Sequence, residues 1–155
     1  MRNSFFLIGL TLLLLGCGGG TTGPQISVLE NAWNTFESVQ YSAAKEIFSD
    51  IYDEASSDTT LTAQAQCGLG WCEGELGNYS AAVSAFSQSL AADSALTNSA
   101  AGIALAYEAQ GISLANTSAY TNAVSYGEAL LSTDPYYEFS HNESINARTI
   151  KLMIA

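Results

Sequence analysis

The stretch Leu69-Gly70-Trp71-Cys72-Glu73-Gly74-Glu75-Leu76-Gly77-Asn78-Tyr79-Ser80-Ala81-Ala82-Val83-Ser84-Ala85-Phe86 decides the fold. On both sides of Gly77-Asn78 its apolar and small residues return with a period near 3.6, the pattern of two helices that each bury one face. Gly77 can take the left-handed backbone that closes a helix, and Asn78 can begin the turn into the next. So short a break brings the second helix back antiparallel to the first, as a helical hairpin.

The same pattern runs outward in both directions. Helices are expected at about Ile26 to Val39, Tyr41 to Ala55, Leu61 to Leu76, Tyr79 to Ala92, Leu96 to Gln110, Ala119 to Ser132, and from about His141 onward. The breaks carry turn residues: Ser56-Ser57-Asp58-Thr59-Thr60, Gly77-Asn78, Asp93-Ser94 and Thr133-Asp134-Pro135. The only prolines are Pro24 and Pro135, so nothing interrupts the helices between them. Strand-like alternation is not sustained anywhere, and the expected fold class is all-α. The hairpins also repeat. Trp33, Tyr41, Ala44 and Phe48 return as Trp71, Tyr79, Ala82 and Phe86, shifted by 38. Gly68, Leu69 and Gly77 return as Gly102, Ile103 and Gly111, shifted by 34. Tyr79, Ala82, Val83 and Leu90 return as Tyr120, Ala123, Val124 and Leu131, shifted by 41. The step from 34 to 41 is an insertion of seven residues in the third hairpin, around Ile112 to Ser118.

Together these residues resemble the tetratricopeptide repeat, a helix–turn–helix unit stacked into an α-solenoid. The second unit carries the resemblance best, with Leu69-Gly70, Leu76-Gly77-Asn78-Tyr79, Ala82, Phe86 and Leu90. Gly70, Ala82 and Ala32 or Ala104 are small where two helices cross. The third unit keeps Ala104, Tyr107, Gly111, Tyr120, Ala123 and Leu130, and ends on Asp134-Pro135. The first unit departs from the pattern at Asn31-Ala32 and at the turn, where Val39 stands in place of glycine; Glu73 and Gly127 replace expected aromatics. The resemblance spans Ile26 to Pro135 and implies about three repeats plus a C-terminal helix. Ser144 to Ala155 resembles the opening of a fourth first-helix, and two readings stand side by side: truncation there, or a helix that caps the third hairpin.

The N-terminus reads as an address. Arg2 precedes an apolar run from Phe5 to Leu15, too short for the ~20 residues of a spanning helix. Leu14-Leu15-Gly16-Cys17, followed by a glycine tract, resembles the bacterial lipobox. Residues 1–16 are accordingly read as a lipoprotein signal peptide, 17–25 as a lipidated Cys17 with a Gly-rich tether, and 26–155 as the repeat domain. Gly18 in place of aspartate implies, by the family's sorting preference, the periplasmic face of an outer membrane.

Composition narrows the function. The net charge of −11 leaves little with which to neutralise phosphates, which argues against nucleic acid. Charged residues make up 12% of the chain, about half the usual ~25%. Catalytic patterns are scarce. His141 is the one histidine and suits capping or packing near a helix start; no metal-ligand spacing and no cofactor motif is present. Cys67 and Cys72 lie five apart on one helix, too far around and along it for a disulfide, and read as packing residues. Glu73 and Glu75 point to different faces, which separates them as an acid–base pair.

The expected function is a non-enzymatic scaffold that takes a peptide or partner protein of the cell envelope in a concave helical groove. The alternative is an accessory or enzymatic cell-wall or carbohydrate-acting lipoprotein whose repeats dock substrate. By the family's geometry the groove is lined by Leu29, Trp33, Phe36, Cys67, Trp71 and Leu105, with the two indoles exposed and Glu37, Glu75 and Glu108 at the rim.

Overall fold

The computed structural model describes residues 23–55 and 57–155. The expected signal peptide, Cys17 and the glycine tract up to Thr22 lie outside the described residues. Seven helices follow in order: α1 (Gly23–Glu37), α2 (Tyr41–Glu54), α3 (Thr59–Glu75), α4 (Tyr79–Ala92), α5 (Thr97–Leu114), α6 (Thr117–Thr133) and α7 (Ala147–Met153). Each helix from α1 to α6 packs on the next, giving the hairpins α1/α2, α3/α4 and α5/α6 joined in series. The first helices also meet directly, α1 on α3 and α3 on α5. The architecture is an all-α repeat stack of the α-solenoid type, followed by a short helix. No helix among the described residues is long and apolar enough to cross a membrane.

Local chemistry explains the boundaries. Helix α1 begins three residues before the expected Ile26, with Pro24 in its first turn, where a missing N–H costs nothing. Asp58 caps α3 by accepting from the Leu61 N–H at 3.0 Å. The three hairpin turns each contain one residue in the left-handed region: Gly77 at φ 79°, Val39 at φ 63° and Ala115 at φ 49°. Val39 thus adopts the turn geometry of Gly77 although it is β-branched. The seven-residue insertion is not a loop. It lengthens α5 past Gly111 to Leu114 and starts α6 at Thr117, where Asn116 accepts from the N–H groups of Ser118 and Ala119. Gly111 is therefore a helical residue with its open side toward Tyr120, and Ala115 makes the turn.

The core repeats as the sequence does. A β-carbon on Gly68 would run into the Phe48 ring, and one on Gly70 or Gly102 would run into Phe86. Each second-helix phenylalanine thus lies in a notch that glycines open in a first helix. Ala32, Ala44, Ala82 and Ala104 are fully buried at the helix crossings. Two buried hydroxyls tie the second hairpin to the third. Ser89 Oγ donates to the Ala63 carbonyl at 2.7 Å, which leaves Ser99 Oγ as the donor in the 2.7 Å Ser89–Ser99 bond.

The end of the chain differs from expectation. Helix does not begin at His141; residues 135–146 are non-helical, and α7 starts at Ala147. Asn142 accepts from the Ser144 N–H and Asn146 caps α7 through the N–H groups of Arg148 and Thr149, so asparagine turn chemistry holds off the helix. Helix α7 packs on α6 and α5, where Ile150, Met153 and Ile154 fill the space left open by Gly127.

Candidate functional site

The face shared by α1 and α3 does not stand open. Residues 137–139 run extended across it between two turns, and burial alternates: Tyr137 and Phe139 are buried, while Tyr136, Glu138 and Ser140 are exposed. Phe139 is fully buried. Its ring stacks on Trp71 at 4.2 Å and meets Trp33 edge-on at 6.0 Å, with Phe36 at 6.5 Å. His141 stacks flat on Trp33 at 4.0 Å, and its Nδ1 lies 2.7 Å from Glu37 Oε1. Tyr137 donates its hydroxyl to Asn98 Oδ1 at 3.2 Å.

The expectation of an exposed aromatic row is therefore corrected. Phe36, Cys67 and Trp71 are buried, and Trp33, Leu29 and Leu105 are half-buried. The reason is the 136–146 segment, which covers the indoles. The structure does gather three of the six around one point, since Trp33, Phe36 and Trp71 all contact the Phe139 ring. Leu105 lines the adjoining cleft, about 280 Å³, between α3 and α5 with Trp71, Gly74, Glu75, Tyr79 and Ile145. Leu29 packs against the core at the start of the array. Of the expected rim carboxylates, Glu37 reaches the covering segment and Glu75 lines the cleft; burial pushes the Glu108 carboxyl up from its ordinary value.

Trp71 keeps one loose end: its indole Nε1 is buried and has no hydrogen-bond partner. Cys67 and Cys72 are free thiols, both buried. Burial pushes Cys67 up to about 11, against a weaker pull from the neighbouring Ser99 hydroxyl. Cys72 is pushed up to about 12, by burial first and then by the Glu73 charge.

A second cleft of about 490 Å³ lies at the turn end of the second and third hairpins. Lys45 Nζ pairs with Glu73 Oε1 there at 2.8 Å, and Asn78 Nδ2 donates to Glu73 Oε2 at 2.8 Å. Burial works to raise the Glu73 carboxyl, but the hydrogen bonds from Lys45 and Asn78 and the Lys45 charge hold it below its ordinary value. Both Glu73 oxygens are thus engaged, and the group is a tie between α2 and the α3–α4 turn. Among the described residues no cluster of His, Cys, Asp and Glu could hold a metal ion.

Comparison of the chain with protein-family models, with curated protein sequences and with solved structures finds no match. The residues that sequence reasoning missed are Phe139 and its neighbours. The one available signal was the Tyr137-Glu138-Phe139 alternation just after Pro135.

Proposed function

We propose that the chain is a tetratricopeptide-like interaction scaffold of the bacterial cell envelope, anchored through Cys17 on the periplasmic face of an outer membrane, that takes a peptide or partner protein on the face α1, α3 and α5 share. The observation that supports this reading is what that face already holds. A non-helical segment lies across it and seats an aromatic ring between Trp33 and Trp71. A surface shaped to accept such a segment is shaped for peptide recognition. The acidic balance of 15 carboxylates to 4 basic side chains favours a neutral or basic partner.

Two measurements test it. A photo-crosslinking residue at Glu75, in the cleft beside Trp71, should give a discrete adduct in native membranes, and the same residue at Tyr52 on α2 should not. Equal yields from the two positions would remove the shared face as the binding surface. Separately, Cys17→Ser should move the protein from the detergent phase to the aqueous phase, and continued partition into detergent would end the lipoprotein reading.

A further inference from the structure

The segment that covers the tryptophans is attached in an unusual way. None of its backbone hydrogen bonds reaches α1, α3 or α5: Tyr137 N–H donates to the Asp134 carbonyl, Phe139 to Ile145, Asn142 to Phe139, Ile145 to Asn142, and Ala147 to Tyr137. Its hold on α1, α3 and α5 is made by side chains alone, through the Phe139 and His141 rings, the His141–Glu37 contact and the Tyr137–Asn98 bond. Lifting it off would leave none of these backbone donors unpaired, so the large penalty that normally fixes a buried strand is missing. Nor does the segment close the end of the array. Helix α7 is what packs on the α5/α6 hairpin, whereas Phe139 and His141 reach back over the second and first hairpins.

We propose that residues 136–146 are a tethered plug, and that the site beneath is a receptor for an aromatic side chain presented on a turn, which a partner segment of that chemistry fills when the plug lifts. This rests on the shared face being the partner-binding surface. The plug states what the site selects. Phe139 supplies a ring that stacks on one indole, and two residues on His141 supplies a planar ring that stacks on the other and an N–H directed to Glu37. The tip from Phe139 to Ile145 can swing out while Tyr137 and α7 stay docked, since the Ala147–Tyr137 hydrogen bond closes the base of the loop.

The experiment is native-state hydrogen exchange on the full chain, followed by titration with a fluorescent peptide of residues 136–146. The Phe139, Asn142 and Ile145 amides should exchange through a local opening at least about 100-fold faster than the amides of α3 and α4. His141→Ala leaves Phe139 in place; it should raise that opening about tenfold without changing α3 and α4, and should bind the peptide about tenfold more tightly than the wild type does. A peptide with alanine in place of Phe139 should not bind. Exchange of the segment in step with α3 and α4, in the wild type, would overturn the plug alone. A segment that opens while no peptide binds would overturn both the plug and the shared face as a binding surface.

Discussion

Phe86 shows at the level of single residues why this array tolerates so few charges and still packs uniquely. Gly70 and Gly102 open a notch on each side of its ring, and the fit leaves no space for a methyl group. Gly102→Ala should therefore destabilise the fold by about 1–3 kcal/mol through overpacking. Gly74 lies on the same helix as Gly70, with nothing within 4 Å of an added β-carbon. Gly74→Ala should raise stability by about 0.5 kcal/mol, because alanine loses less backbone freedom in a helix. Thermal unfolding of the two variants should thus move in opposite directions, and a shared sign would show that the packing at Phe86 is not as described. Glu73 gives a pH signature. Its carboxyl sits below the ordinary 4.5 in the folded chain, so it binds protons less readily there than when unfolded. Its contribution is present above the unfolded value and is lost as pH falls through the folded one. Lys45 is 40% exposed, which limits the pair to about 0.5 kcal/mol. The stability gap between wild type and Glu73→Gln should be full at neutral pH and should close as pH falls below the carboxylate range.

Among the elements, the three turns do the same work with different residues. Gly77 meets the left-handed geometry without strain, and Val39 meets it with a branched side chain that is 68% exposed. Val39→Gly should stabilise by about 1 kcal/mol, the left-handed penalty for an L-residue less the added flexibility of glycine. Unfolding in urea would register it as a higher midpoint at constant slope. An unchanged midpoint would place the strain elsewhere. The helices themselves were legible because period and repeat agree: Trp33 and Trp71, Ala44 and Ala82, Phe48 and Phe86 occupy like places in successive hairpins. The insertion was legible as seven residues but not as helix, because Gly111 reads as a turn until Asn116 is recognised as the cap. Residues 136–146 were not legible. Their apolar positions are too few to separate a short extended run from the start of a helix, and the asparagines that decide the matter act through their side chains.

At the scale of the molecule, charge is one-sided. A net −11 is opposed by few cations, and only the Lys45–Glu73 and His141–Glu37 contacts bring opposite groups together among the described residues. Self-repulsion should weaken the compact state at low ionic strength. Raising salt from about 0.02 M to about 0.3 M shortens the screening length several-fold and should raise Tm by about 2–4 °C. A fall in Tm would mean that the Lys45–Glu73 ion pair outweighs the acidic surface. The candidate site shares this division between what repeats and what does not. Trp33, Phe36 and Trp71 could be placed on one face from register alone, and Leu105 with them, since each belongs to a first helix. What fills that face comes from a contact 104 residues apart, His141 to Glu37, which no periodicity encodes.

The two buried sulfurs have a use as clocks. Cys67 neighbours Trp71, Ser99 and Tyr137, beneath the 136–146 segment, while Cys72 lies beside Glu73 and faces Lys45 across the α2–α3 contact. Neither can be alkylated or oxidised at an appreciable rate while covered and protonated. Each therefore times a different door, one to the recess under Tyr137 and one between the first two hairpins. In an oxidising medium, a chain that stacked its hairpins slowly would leave both thiols open to mispairing. Assembly of the hairpins is what withdraws both sulfurs from that chemistry.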